Sequence, residues 1–325
     1  MTSTGGPGFA DIEAAAARLA PSITRTPMIP CRWLSEKTGS EVWLKLEMLQ
    51  LTGSFKLRGA LNAVIRMADS SVRNRTIVTA SAGNHGVAVA WAAKQFGMHA
   101  RVHVPASAPA AKRDALIRLG AELIEAPDYD AAEARARSEA SASGDVYLSP
   151  YDHRDVIAGA ATITVEMLAD RPDLDAIVAP LGGGGLLAGT AIAARHLAHR
   201  QSRTPPVVIG AEAQASPVFS ASLAAGHVVE VQVHPTLADG LAGNMDPQSR
   251  TFALVRDHVD RVALVAEDSI RIAMRGLLEQ EHLIVEGASA TAVGALLQGG
   301  LNLSGKRVGV ILTGRNVDWD VLRRT

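Results

Sequence analysis

Residues 76–86 read Thr76-Ile77-Val78-Thr79-Ala80-Ser81-Ala82-Gly83-Asn84-His85-Gly86. The β-branched run predicts a strand. The Ser-Ala-Gly step then turns the chain into a helix over about 84–96, ended by Gly97. The pattern repeats downstream. A strand at 100–104 stops at Pro105, and a helix over about 109–119 ends at Gly120. A strand at 122–125 precedes an Ala-rich helix over about 129–142, and a short strand at 146–148 is closed by Pro150. Strand and helix alternating through short loops predict a parallel sheet covered by helices. Residues 71–149 are therefore expected to form a small, mobile α/β domain.

The same rhythm lies on either side. Upstream, an amphipathic helix over 11–20 is followed by the extended segment Arg25-Thr26-Pro27-Met28-Ile29-Pro30, where each residue before a proline is pushed out of the helical region. A short helix near 32–38 and a strand at 42–47 lead through the turn Gln50-Leu51-Thr52-Gly53 to Ser54-Phe55-Lys56-Leu57-Arg58-Gly59-Ala60 and a helix reaching Met67. Downstream, a helix over 154–169 precedes the most apolar strand, Ala176-Ile177-Val178-Ala179-Pro180, which feeds straight into Gly182-Gly183-Gly184-Gly185 and a helix over 186–197. A buried strand follows at 207–211. Residues 213–250 read as less regular. A strand at 261–265, helices over 267–281 and 288–298, and a last strand at 308–312 complete the pattern. The expected architecture is α/β: two open, mostly parallel twisted sheets flanked by helices. Residues 1–70 and 150–325 form a large domain, and the site lies between it and the small one.

Composition narrows the function classes. Of 325 residues 47% are apolar and the formal net charge is -1, which suits sizeable cores and gives no electrostatic basis for binding nucleic acid or an anionic membrane. No stretch of about 18 unbroken apolar residues is present, so no membrane span is expected. Cys31 is the single cysteine, so no internal disulfide can form and a reducing compartment is expected. Flanked by Pro30 and Arg32 with no base nearby, it is expected to be inert. Met1–Ala10 lacks a basic-then-apolar signal pattern, and a cytoplasmic location is expected.

Four stretches carry chemistry. Lys56 falls in the first turn of a helix, where the dipole disfavours a cation, so a partly desolvated amine there should lose its proton readily and act as a nucleophile toward an aldehyde. Against this stands a solvated surface lysine. The run Gly182–Gly185 joins a buried strand to a helix, where unpaired N–H groups and the dipole favour an anion such as phosphate. Leu186-Leu187 follow it instead of a Lys-Ser/Thr pair, so it is not a Walker loop, nor does it match a dinucleotide fingerprint. A tight turn is the plainer alternative. Ser81–Gly86 opens a helix at a strand's carboxyl end; its amides suit a carboxylate and the Asn84 amide a ring hydroxyl, or Ser81 or Asn84 merely caps the helix. Thr313-Gly314-Arg315-Asn316 also follows a strand end, with the Thr313 hydroxyl placed for a ring nitrogen or for a turn cap.

In this order the four stretches resemble the fold-type-II pyridoxal-phosphate enzymes, the tryptophan synthase β-like family, and within it the serine/threonine dehydratases. The matches are Thr52–Ala60, Thr79–His85 and Gly182–Leu186, with weaker ones at Ala238-Asp239-Gly240-Leu241, Glu286-Gly287-Ala288 and Thr313–Asn316. They cover about residues 20 to 320. The resemblance implies pyridoxal 5'-phosphate as cofactor and Lys56 as Schiff-base lysine and general base. Gly182, Gly183, Gly184 and Gly185 with Leu186 would form the phosphate cup, and Asn84 would partner the ring oxygen. Thr313 would face the pyridine nitrogen, leaving it unprotonated and favouring β-elimination over transamination. Phe55, Gly240 and Glu286 are further cofactor-binding residues, and Ser81, Ala82, Gly83, Asn84 and His85 form the loop for the substrate carboxylate.

Departures matter as well. Racemases of the family carry a second serine as acid on the opposite face; here that position is Ala82. Metal-binding members place an acidic residue six positions after the residue matching Glu212; here it is Val218, and no metal is expected. Arg315 interrupts the usual Ser-Gly-Gly-Asn and adds a cation expected near the cofactor edge. No C-terminal regulatory domain is expected, since the sequence ends at Thr325. The expected activity is dehydration and deamination of a β-hydroxy amino acid to a 2-oxo acid and ammonia, by a homodimer or homotetramer. Serine, threonine, phenylserine, 3-hydroxyaspartate and a hydroxyectoine-derived amino acid are all candidate substrates. A serine-type racemase on the same scaffold and a non-catalytic anion-binding protein are the alternatives.

Overall fold

The computed structural model describes residues 5–325. The first four residues of the polar segment Met1–Ala10 lie outside the described residues. The strands are β1 (Met28–Pro30), β2 (Glu41–Lys45), β3 (Ile77–Ala80), β4 (Ala100–Pro105), β5 (Glu122–Ala126), β6 (Val146–Tyr147), β7 (Ala176–Pro180), β8 (Val207–Ala213), β9 (Arg261–Val265) and β10 (Arg307–Ile311). The helices are α1 (Phe9–Leu19), α2 (Arg32–Thr38), α3 (Lys56–Ala68), α4 (Asn84–Gln95), α5 (Ala110–Arg118), α6 (Tyr129–Ser143), α7 (Arg154–Asp170), α8 (Gly185–Arg200), α9 (Val218–Ala225), α10 (Arg250–His258), α11 (Glu267–Glu281), α12 (Gly287–Leu297) and α13 (Trp319–Leu322).

They form two sheets. One has six strands in the order β1-β2-β10-β7-β8-β9, parallel except for β1; the other has four parallel strands in the order β5-β4-β3-β6. The two-sheet α/β architecture is the one expected. Strand β7, at the centre of the larger sheet, is apolar throughout because both its faces are covered. Val178 and Val310 pack on one face with α11 and α12, while Ile177, Ala179 and Ile311 pack on the other with α7 and α8.

Helix α3 fixes the geometry of the site. It packs on α7 of the six-stranded half and on α4 of the four-stranded half. The crossing with α7 is close enough to need glycine on both sides. A Cβ on Gly59 would lie 2.8 Å from the Val156 carbonyl oxygen, and one on Gly159 would lie 2.4 Å from that of Arg58. Beneath Lys56, the buried Arg58 guanidinium donates to both Glu47 oxygens at 2.8 Å and to Glu166 at 2.7 Å, and Lys45 also pairs with Glu166. Two cations matched to two carboxylates leave no buried charge unpaired, the condition under which such burial is tolerated.

One local reading needs correction and two gain detail. The segment 213–250 is less regular than its surroundings, as read, yet not without helix. It contains α9, an Ala/Ser-rich helix with no amphipathic stripe to signal it, and α10 starts at its end with Ser249 accepting from the Thr251 amide. The strand expected at 42–47 ends at Lys45, and Glu47–Leu49 forms a 3₁₀ turn that aims the Glu47 carboxylate at Arg58. Residues 28–30, read only as extended, form the antiparallel edge strand β1. Among the described residues, no helix is long and apolar enough to cross a membrane.

Candidate active site

The carboxyl ends of β3, β7 and β10, and the turn after β2, face one cavity of about 430 Å³ between the sheets. Crevices at strand carboxyl ends are where open α/β sheets bind ligands. Lys56, the first residue of α3, reaches into it. Its Nζ donates to the Pro150 carbonyl at 2.8 Å and lies 5.1 Å from the centroid of the Phe55 ring. Burial lowers its pKa to about 8, against a smaller opposing pull from Glu286. Desolvation thus readies the amine.

The glycine run forms a cradle that tolerates no side chain. Gly184 is the N-cap of α8 with φ +83, a left-handed conformation suited to glycine. A Cβ on Gly183 would lie 2.2 Å from Tyr151 Cγ, and one on Gly185 would lie 2.5 Å from the Tyr151 carbonyl oxygen. The first intrahelical bond of α8 runs from Ala188 N to Gly184 O at 2.9 Å, so the amides before Ala188 have no partner within the helix. Unpaired amides on a helix N-terminus that opens into a cavity make a site for a phosphate.

On the other side, the Asn84 amide donates to Glu286 Oε1 at 2.7 Å and accepts from Asn316 Nδ2 at 2.6 Å. Burial raises the Glu286 pKa to about 7, with the Asn84 bond pulling the other way. Gly314 makes room for this carboxylate, since a Cβ there would lie 2.5 Å from Glu286 Oε1. Thr313 is buried and lines the cavity. At the start of α4 neither Ser81 nor Asn84 caps the helix; the N-cap is Gly83, without a side-chain cap bond. Ser81 Oγ instead accepts from the Gly83 amide at 3.2 Å. The buried His85 ring turns away, with Nε2 3.1 Å from the Leu148 carbonyl, and burial lowers its pKa to about 3, so it is neutral. What this loop offers a carboxylate is therefore the first-turn amides of α4 and the Ser81 hydroxyl.

Phe55, Lys56, Ser81, Ala82, Gly83, Asn84, His85, Gly182, Gly183, Gly184, Gly185, Leu186, Gly240, Glu286 and Thr313 all line this one cavity. Arg315 does not. Its side chain is exposed and outside the lining; its backbone amide donates to Gly53 O at 3.0 Å and its carbonyl accepts from the Val317 amide at 2.8 Å. The expectation of a cation at the cofactor edge is corrected accordingly: the chain turns outward after Gly314. The Glu212 carboxylate is occupied as a helix cap. It accepts from the amides of Phe219 and Ser220 at 2.6 and 2.9 Å and from the Ser220 hydroxyl, while Val218 is buried at the start of α9.

Several lining residues were not foreseen. Pro150 and Tyr151 follow the end of β6, and strand carboxyl ends are a signal that points to them. Lys112, Tyr129, Glu133 and Asp239 also line the cavity. Tyr129 and Glu133 sit on an Ala-rich helix with nothing local to mark them.

A buried amine of lowered pKa, a glycine cradle with unpaired helix amides, a hydroxyl and a carboxylate-backed amide in one cavity fit pyridoxal phosphate, with its aldehyde, phosphate and polar ring edges. The comparisons agree. The family model described as pyridoxal-phosphate dependent enzyme matches residues 19–314. The L-threonine ammonia-lyase of Thermotoga maritima is 40% identical over 316 residues, 97% of this chain and 77% of that protein. The L-threo-3-hydroxyaspartate ammonia-lyase of Saccharomyces cerevisiae is 35% identical over 96% of this chain and 94% of that protein. The serine racemase of Dictyostelium discoideum superposes with a TM-score of 0.86 at 35% identity, over 97% of this chain and 100% of that one. The chain belongs to the pyridoxal-phosphate-dependent enzymes of fold type II. Within them it falls in the serine/threonine dehydratase family.

Proposed function

We propose that this enzyme removes water and ammonia from a small β-hydroxy amino acid by β-elimination. The observation that carries the reading is the Lys56 amine, held in the same cavity as the glycine cradle. Lys56 would hold the cofactor's aldehyde carbon through Nζ. The amides of Gly183, Gly184, Gly185 and Leu186 would hold its phosphate, and Asn84, Glu286 and Thr313 its ring. When bound, pyridoxal phosphate supplies the electron sink for the α carbon. The substrate carboxylate would sit on the N-terminus of α4 and the Ser81 hydroxyl. The Lys56 amine, whose pKa burial lowers to about 8, is suited to neutral pH as the base that would take the α proton. The Pro150 carbonyl fixes where that amine waits. Thr313, a neutral hydroxyl, can hydrogen-bond a ring nitrogen but is too weak an acid to protonate it, and so would favour elimination over transamination. The β-hydroxyl would leave with a proton as water, balancing the proton taken from the α carbon, and the released enamine would consume one water to give a 2-oxo acid and ammonia.

The wider organisation we propose has residues 71–149 moving as a unit against 1–70 and 150–325, in a cytoplasmic homodimer or homotetramer. The lone buried thiol, Cys31, is at home in a reducing compartment. Borohydride reduction followed by peptide mass spectrometry is expected to place a pyridoxyl group on Lys56, and serine, threonine, phenylserine and 3-hydroxyaspartate are to be assayed for ammonia and 2-oxo acid. An adduct on another lysine, or no 2-oxo acid from any β-hydroxy amino acid, overturns the reading.

A further inference from the structure

If the substrate's amine meets Lys56 and its carboxylate the start of α4, its side chain must face the remaining wall. That wall comes from α6, from the β4–α5 loop with Lys112 of α5, and from the loop around Asp239. On α6, Glu133 is 17% exposed and lines the cavity. Its Oε1 accepts from Arg137 Nη2 at 2.7 Å, from Arg137 Nε at 3.1 Å and from the Tyr147 hydroxyl at 3.1 Å. Among the described residues no hydrogen-bond donor reaches Oε2. A carboxylate oxygen has acceptor capacity only, so Oε2 is open to a donor from within the cavity.

The cations nearby are already matched. Arg137 is held between Glu133 and Asp246, the latter at 3.1 Å, and Lys112 pairs with Asp239 at 3.4 Å. Counting these five groups, the wall carries one net negative charge, shared by Glu133 and Asp246 on either side of Arg137, and of these two carboxylates Glu133 is the one that lines the cavity. Tyr151 links the wall to the cradle: its ring packs on Gly183, its hydroxyl accepts from the Asp246 amide at 3.3 Å, and it lies within the field of Glu133.

We propose that Glu133 is a specificity-determining residue that selects a β-hydroxy amino acid whose side chain ends in a hydrogen-bond donor, best an ammonium group, and rejects one ending in a carboxylate. This rests on the β-elimination reading and adds the substrate class to it. A charge-assisted hydrogen bond inside a cavity favours the cationic substrate, and a carboxylate placed there meets like charge in a medium that screens it poorly.

The test uses the holoenzyme and three substrates of matched length. 2,4-Diamino-3-hydroxybutanoate ends in an ammonium group, 3-hydroxynorvaline in a methyl and 3-hydroxyaspartate in a carboxylate. The ratio of kcat/KM for the first over the second is expected to be about tenfold or more, and to fall about tenfold in Glu133→Gln, while 3-hydroxyaspartate gains in the variant. Taking the ratio within each protein cancels any loss of folded enzyme. A ratio of one or less in the wild type, or an unchanged ratio in Glu133→Gln, overturns the proposal. A second readout needs no turnover: 2,4-diaminobutanoate, which has no leaving hydroxyl, is expected to raise Tm more than norvaline does, and only while Glu133 is present. If that difference appears and no substrate yields a 2-oxo acid, the elimination reading fails and the selectivity of the wall stands; if the difference is absent, the selectivity fails.

Discussion

Replacing Gly183 by alanine tests the cradle at its tightest point. The added methyl carbon would lie 2.2 Å from Tyr151 Cγ, 2.3 Å from Cδ1 and 2.7 Å from Cβ. Ordinary contact begins near 3.4 Å, so the two must part by about 1 Å. The clash is with the root of the Tyr151 side chain, which no rotation of the ring tip relieves. Overpacking of this kind costs about 1–3 kcal/mol of stability. Binding should suffer more. The amides from Gly183 to Leu186 serve a phosphate only while they converge, and a displacement of about 1 Å in a positioned group costs on the order of 100-fold. Titration of apoenzyme with pyridoxal phosphate, followed by its absorbance, is expected to show a loss of that size, beside a modest fall in apoenzyme Tm. Tyr151→Ala removes the two closest contacts and leaves the one to Cβ at 2.7 Å, so the double variant should recover part of the affinity lost in Gly183→Ala alone. Wild-type affinity in Gly183→Ala refutes the cradle. A loss that the second substitution does not relieve refutes the clash as its cause.

Lys56→Met is expected to raise the Tm of the apoenzyme at pH 7. The folded pKa of Lys56 is lowered to about 8 by burial, so between about 8 and the ordinary lysine value of 10.5 the unfolded chain binds more protons and wild-type stability rises with pH. The advantage of Lys56→Met should therefore shrink across that window, and a pH-independent difference speaks against a buried, titrating amine. Ala82→Ser is expected to increase inversion at the α carbon relative to ammonia release, because a positioned acid contributes about 10²–10⁴-fold where Ala82 offers only a methyl group; chiral chromatography beside an ammonia assay reads the ratio, and equal rates in the wild type would point to a racemase. Activity is expected to survive chelator treatment, since the Glu212 carboxylate is committed to the start of α9. A loss restored by magnesium shows that other oxygens complete a metal site.

Much of the cavity's lining was legible in the linear chain because these stretches sit where strands end. Glycines at 182–185, the lysine after the turn at 50–53 and the Ser81–His85 loop each mark a strand's carboxyl end, and parallel sheets bring such ends together. What stayed hidden depends on partners distant in sequence. The Asn84 side chain is taken by Glu286 and Asn316, some two hundred positions away. Helix α9 is begun by a carboxylate on β8. Glu133 lies on a helix whose alanines bury one thin stripe, Ala132, Ala136 and Ala140, and nothing in that pattern shows that a neighbouring face lines the cavity. Arg315 misled for the opposite reason: adjacency to Thr313 says nothing about the side of the chain on which a side chain emerges.

The meeting of Gly59 with Gly159 bears on how such an enzyme changes over evolutionary time. Where two helices touch through their main chains, the spacing between them is indifferent to the identities of the side chains around it. The amine of Lys56 is thereby moored to main chain: α3 rests on α7, and its Nζ is held by a carbonyl oxygen. The opposite wall is built from side chains, Tyr129, Glu133 and Lys112 among them. Substitutions accumulating there can redraw the outline and charge of what is admitted while the reacting amine keeps its place. Innovation in substrate and constancy of chemistry are thus assigned to different materials within one fold, the first to side chains and the second to backbone.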